Sequence, residues 1–272
     1  MKIKTLTLEP QPYTVAFLGD IHEGAANYQQ ESFERAVKVI QNEADAWIGM
    51  GDYVDAINHL DPRFNPHEIS RKYALNDLAD LPRVQCDYLL DSLAPIKDKC
   101  LGLLYGNHED AYRKHNTFDV VNYLSNALGC DNIGHKAWFS LNFRFNDTKS
   151  IPYKIVVMHG SGGGGGMREG APLNRVHDVF RWDMADAHVI GHLHQSGISR
   201  PVYNRFEYGV VRREPAWFAV NGCFLSKSEI GNEGYFEQKA GMESSIGMLK
   251  LRVIPSRNSK TDFTSQMDMV WL

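Results

Sequence analysis

Tyr13-Thr14-Val15-Ala16-Phe17-Leu18-Gly19-Asp20-Ile21-His22 decides the fold. It is a mostly apolar run that ends abruptly at Gly19-Asp20, and a short apolar run closed by a turn residue reads as a buried strand. The polar residues are delivered just beyond the strand's end. The same pattern recurs downstream. Ala46 to Met50 stops at Gly51-Asp52, Cys100 to Tyr105 at Gly106-Asn107-His108, Ile155 to Met158 at His159, and His188 to Ile190 at Gly191-His192-Leu193-His194. Five apolar strands thus end in side chains able to bind metal.

The segments between them are of a different kind. Phe33, Ala36, Val37 and Ile40 fall at three- and four-residue spacing, which predicts an amphipathic helix over Glu31 to Ile40. Glu68 to Leu93 is again helical in pattern, with a break expected at Pro82. Lys2 to Leu8 alternates polar and apolar like a half-buried strand, and strand-like alternation dominates from Trp138 to Phe145 and from Ile198 onward. Strands alternating with helices predict an α/β fold, with a second, partly antiparallel sheet in the later part. In such sheets ligands gather at strand ends.

At 272 residues, with 43% hydrophobic and 23% charged residues, the expectation is one soluble domain over 1–272, with a helical cap insertion at about 56–96 as an added feature. A net charge of −4 provides no large positive field for duplex DNA. Cys86, Cys100, Cys130 and Cys223 form no CxxC pair, which excludes a zinc ribbon or thioredoxin-like motif and predicts reduced, packed thiols. Near the N-terminus, Thr5, Thr7, Glu9 and Gln11 interrupt any signal-peptide core, and no stretch approaches the ~20 apolar residues of a membrane span. A cytoplasmic location without membrane partners is expected.

Asp20 and His22, two apart beyond one strand, offer a hard oxygen and a borderline nitrogen to one side of a site. Asp52, Asn107, His159, His192 and His194 add a carboxylate, an amide carbonyl and three imidazoles. These seven suit two divalent ions bridged by Asp52. Two ions roughly 3.5–4 Å apart share a hydroxide, lower its pKa and stabilise the entering and leaving oxygens of an in-line displacement. This donor set suits manganese, iron, zinc or a similar ion, and manganese is the expected metal, with iron, zinc or magnesium as alternatives.

Taken in order, Asp20-Ile21-His22, Gly51-Asp52, Gly106-Asn107-His108-Glu109, His159-Gly160 and Gly191-His192-Leu193-His194 resemble the calcineurin-like metallophosphoesterase superfamily, from about Phe17 to Gln195. The resemblance implies a four-layer α/β/β/α sandwich of two mixed sheets flanked by helices. It also implies that Asp20, His22, Asp52 and His194 bind one metal, that Asp52, Asn107, His159 and His192 bind the other, and that His108 protonates the leaving oxygen. A histidine suits that task because its unperturbed pKa, ~6.5, lies near working pH. Asp55 stands where phosphoprotein phosphatases of the superfamily carry the partner of that histidine.

Their next motif, Asp-Arg-Gly, is replaced here by Asp55-Ala56-Ile57. The missing guanidinium clamps free terminal phosphate oxygens, so the departure turns the reading from protein phosphatase toward phosphodiesterase. Arg113 and Arg168 are the candidate substitutes for binding substrate phosphate. Ser161 with the run Gly162 to Gly166 follows His159 directly, and such a run lets backbone approach a phosphate or lets a loop close over one. Lys250, Arg252, Arg257, Lys260, Arg212 and Arg213, with Trp217 and Phe218, are a candidate surface for single-stranded nucleic acid. His59, His67, His115, His135, His177 and His188 read as packing or surface residues. The function expected is metal-dependent hydrolysis of a nucleotide or nucleic-acid phosphodiester, as in the nuclease members of the superfamily. A phosphomonoesterase is the alternative, and a metal-binding scaffold without catalysis the third reading.

Overall fold

The computed structural model describes residues 1–57, 61, 64–161, 170–207, 209–226, 243–256 and 263–272. Two six-stranded sheets carry the fold. The first, here the front sheet, runs β14 (Phe263–Trp271), β13 (Gly247–Pro255), β2 (Tyr13–Leu18), β3 (Ala46–Gly49), β4 (Cys100–Leu104), β5 (Asn132–Gly134). The back sheet runs β1 (Lys2–Leu8), β6 (Lys136–Arg144), β7 (Ser150–Met158), β8 (Ala187–Ile190), β12 (Trp217–Val220), β9 (Gly197–Ser199). β10 (Val202–Glu207) and β11 (Val210–Pro215) pair with each other as a separate hairpin.

The alternation of side chains along a strand builds three cores from two sheets. Val15 and Phe17 of β2 point between the sheets, where they meet Phe139, Leu141 and Phe143 of β6 and Ile155 and Val157 of β7. Ala16 and Leu18, one position along, face the other way. They pack under α1 (Gln30–Glu43), α2 (Leu81–Leu93) and α4 (Val120–Leu128). On the far side, Val156, Ile190, Phe218 and Val220 meet Val176 of α5 (Ala171–Val179) and Phe180. Helix, sheet, sheet and helix are thus stacked in four layers, as expected. Strands buried on both faces read as continuous apolar runs, which is why the five strand tips were legible.

α1 matches the helix expected from its spacing, with Phe33, Ala36, Val37 and Ile40 buried. The segment from Glu68 differs from its expectation. Short 3-10 turns occupy Pro66–Glu68 and Leu75–Asp80, and α2 begins at Leu81 with Pro82 in its first turn. Proline lacks an N–H that the first turn does not use, so Pro82 starts this helix rather than breaking it. Of the segment 56–96, α2 covers the front sheet through Cys86, Leu89 and Leu93. The turns before it lie against the loop after β2, where the Ala26 N–H donates to the Glu68 carbonyl (2.8 Å) and the Ser70 N–H to that of Gly24 (2.9 Å).

The last strands also differ. β13 and β14 do not join the later sheet but extend the front one, β13 lying antiparallel to β2 with Leu251 opposite Val15. Phe218 is buried, Lys250 pairs with Glu43 (2.6 Å), and the guanidinium over the Trp217 ring is that of Arg200, at 4.5 Å. Of the candidate basic surface, then, Lys250 and Arg252 lie on β13, Arg212 and Arg213 on the separate hairpin, and Arg257 and Lys260 outside the described residues. His177 and His188 both stack on the Phe218 ring with centroids 4.1 Å apart, a packing role. All four cysteines are free thiols. Among the described residues no helix is long and apolar enough to cross a membrane.

Candidate metal centre

β2, β3 and β4 run parallel, so their C-terminal ends share one edge of the front sheet, and β7 and β8 do the same in the back sheet. The loops from these five ends meet. Asp20, His22 and His194 form one group of donors within 4.8 Å of one another, and Asp52, His159 and His192 form a second. Each group falls within one of the two ligand sets that the resemblance implied. Asp52 lies between them, its Oδ2 standing 3.8 Å from His22 Nε2 and 3.3 Å from His159 Nε2. Asn107 Oδ1 is 3.0 Å from His159 Nε2, and His194 Nε2 is 3.1 Å from His22 Nε2 and 3.5 Å from Asp20 Oδ1.

These separations fit cations. Donors held ~2.1 Å from one ion stand roughly 3.0–3.4 Å apart, and three of these five separations, 3.0, 3.1 and 3.3 Å, fall in that range. His22 Nδ1 is buried without a hydrogen bond among the described residues. The backbone gives independent support. Six non-glycine residues have positive φ among the described residues: Asp20, His22, Asp52, Ala56, His192 and His194. Five of the six are predicted ligands, and each such conformation is sparsely populated for an L-residue and collects at functional sites.

Several contacts fix the donors. His159 Nδ1 donates to the Met50 carbonyl (2.7 Å), which sets the tautomer and turns Nε2 toward Asp52 and Asn107. The Asp20 carboxylate accepts from the His192 N–H at 3.0 Å, tying a back-sheet loop to a front-sheet one. Asp52 Oδ1 accepts from the His108 N–H (3.0 Å) in the first turn of α3 (Asn107–His115), where a helix N-terminus favours negative charge. Gly106 precedes that helix because a Cβ there would lie 2.1 Å from both Asp52 N and Oδ1.

Burial of Asp52 opposes its charge, but His159, then His108 and His22, hold its carboxyl well below the usual range. His159 shows the converse. Burial alone would lower its pKa, yet Asp52 and the bonds to Asp52 and Met50 push it up to about 10. His22, fully buried, is lowered chiefly by desolvation. Without metal, the centre therefore balances Asp52 with the His159 imidazolium.

His108 stands beside this pair, its ring 4.7 Å from that of His22. Its Nδ1 donates to the Asp55 carbonyl (2.6 Å), and the Asp55 carboxylate lies 3.5 Å away. Ala56, where phosphoprotein phosphatases carry the arginine, is buried in the core under α1 and α2, and its N–H is bound by Gln85 Oε1 (3.0 Å). Arg113 is ion-paired with Asp110 (2.7 Å) and lies over the Tyr105 ring at 4.3 Å. Arg168 and the glycines 162–166 lie outside the described residues.

Glu109 follows His108 in the block that begins at Gly106. Glu109, buried in the first turn of α3, accepts from the N–H groups of Tyr53 (2.6 Å), Gly106 (3.0 Å) and Asp52 (3.1 Å). Burial, then the charge of Asp52, pushes its pKa up to about 7. It joins the loops after β3 and β4 into one unit. An acidic residue at the third position of a helix is a capping signal, so part of this role was open to the sequence.

The family model for calcineurin-like phosphoesterases matches residues 13–196, and the chain belongs to that family. It is thereby a metallophosphoesterase, a class of hydrolase that binds divalent metals and acts on phosphate esters. No curated protein matches it. Among solved structures it is similar to Yfce, a phosphoesterase from E. coli, at 15% identity and TM-score 0.39, with 93% of this chain and 98% of that one covered. It is also similar to the calcineurin-like phosphoesterase YfkN from Bacillus subtilis, at 12% identity and TM-score 0.41, with 96% and 91% covered.

Proposed function

We propose that this chain hydrolyses a phosphodiester, of a nucleotide or of single-stranded nucleic acid, at a centre of two divalent ions, manganese foremost. The observation that carries this reading is the pair of donor groups, Asp20-His22-His194 and Asp52-His159-His192, with the Asp52 carboxylate 3.8 Å from His22 and His108 beside them. Bound there, two ions supply Lewis-acid charge and an activated water for in-line attack at phosphorus. Asp20, His22, Asp52 and His194 would hold one ion, and Asp52, Asn107, His159 and His192 the other. His108, oriented through Nδ1 by Asp55, carries on Nε2 the proton that goes to the leaving oxygen.

The diester preference rests on Ala56. Its side chain faces the helical core, so that position presents no guanidinium to the terminal oxygens of a monoester. The test is hydrolysis of bis-p-nitrophenyl phosphate against p-nitrophenyl phosphate, with manganese and with chelator. Faster, chelator-sensitive release from the diester is expected. Preference for the monoester would replace this reading with a phosphomonoesterase, the cytoplasmic setting expected from the sequence being compatible with either.

A further inference from the structure

Two of the four thiols stand together at the end of the front sheet away from the metal centre. Cys100 opens β4, and Cys130 lies just before β5, the parallel neighbour of β4. Both side chains pack against the core under the helices. For Cys100 this depends on an irregularity in the strand. From the pair Trp47 and Cys100 to the pair Gly49 and Leu103, β4 advances three residues while β3 advances two, so Cys100 and Leu103 share a face that strict alternation would divide. The backbone beside the thiols is tied across the same gap. The Lys4 ammonium of β1 donates to the Leu101 carbonyl (2.9 Å) and to the Asp131 carboxylate (2.8 Å), one residue along from each cysteine.

The two thiols are hydrogen-bonded to each other, and their chemistry is unequal. The bond from Cys100, with the Lys4 ammonium and the Ser125 hydroxyl, draws the Cys130 pKa down against the effect of burial. Burial pushes the Cys100 thiol up. One sulfur is thus suited to be the nucleophile and the other its proton-bearing partner. Between the 3-10 turn Ala94–Lys99 and the end of α4, a surface hollow of about 350 Å³ reaches Cys100, lined also by Lys97, Asp98, Asn126 and Gly129. A small polar oxidant can enter there. Cys86 and Cys223, by contrast, are fully buried.

We propose that Cys100 and Cys130 are a reversible redox-modification site, closed into an intramolecular disulfide by hydrogen peroxide. The Cys130 thiolate attacks one peroxide oxygen, an S–O bond forming as the O–O bond breaks, and the departing hydroxide takes up a proton and leaves as water. The Cys100 sulfur then attacks the Cys130 sulfenic acid. The S–S bond forms as the S–O bond breaks, and the hydroxyl leaves with the Cys100 proton as a second water. Two thiols are oxidised and one peroxide is reduced to two waters. The disulfide ties off the loop from 100 to 130, which carries Asn107 and His108, at the end of β4 remote from them.

Peroxide treatment of the reduced full chain, read by intact mass and peptide mapping before and after dithiothreitol, tests this on the wild type. A single crosslink between the peptides of Cys100 and Cys130, with the loss of two hydrogens and full reversal by dithiothreitol, is expected. Cys100→Ser should leave Cys130 as a sulfenic acid that dimedone traps, and Cys130→Ser should slow the loss of titratable thiol about tenfold or more. Thiols that survive peroxide, oxidation that begins at Cys86 or Cys223, crosslinks between chains in place of the internal one, or a wild-type Cys130 that reaches sulfinic acid with Cys100 still a thiol would each overturn the proposal.

Discussion

The two sheets contribute to the centre unequally. Loops of the front sheet bring all the oxygen donors, Asp20, Asp52 and Asn107, together with His22, whereas loops of the back sheet bring only imidazoles, His159, His192 and His194. The carboxylates are pre-wired by backbone N–H groups and by the start of α3, which fixes negative charge before any ion arrives. Of the imidazoles, His159 is locked by a backbone carbonyl. The charge that attracts the ions is thus carried by the loops of one sheet, while the other brings three nitrogens and, through the His192 N–H, part of the wiring of Asp20.

That division can be tested by removing one part at a time. His108→Ala, in a front-sheet loop but outside both ligand sets, should lower kcat about 10²- to 10⁴-fold with metal content unchanged, measured by steady-state kinetics alongside elemental analysis. Loss of metal in this variant would break the separation between binding and proton transfer. Glu109→Ala removes the acceptor for four buried N–H groups and should cost roughly 3 kcal/mol of stability by urea denaturation, even without metal. A change below about 0.5 kcal/mol would mean that the front-sheet loops hold their shape without it.

Much of this arrangement could be read from the chain alone, and the reasons are local. Apolar runs such as Val15 to Leu18, closed by Gly-Asp, announce strands buried on both faces and what they carry at their tips. α1 was legible because Phe33, Ala36, Val37 and Ile40 keep one face. What escaped depends on distant partners. Nothing in β13 says that it pairs with β2 rather than with the later strands, since the pairing joins residues more than two hundred positions apart. Pro82 marks a boundary in either direction, and only the packing of α2 shows that it is a start. Within the site, residue types were visible but the positive φ of Asp20, Asp52 and His192 was not, because no propensity foretells a conformation imposed by neighbouring loops.

The most direct test of the central claim is metal content per chain, wild type beside Asp52→Asn, by elemental analysis after manganese loading and removal of free ions. If Asp52 joins two sites, the wild type carries two ions, and this single substitution lowers occupancy at both and abolishes chelator-sensitive hydrolysis. A wild type that retains one ion, or an Asp52→Asn variant that keeps two with full activity, would contradict the account.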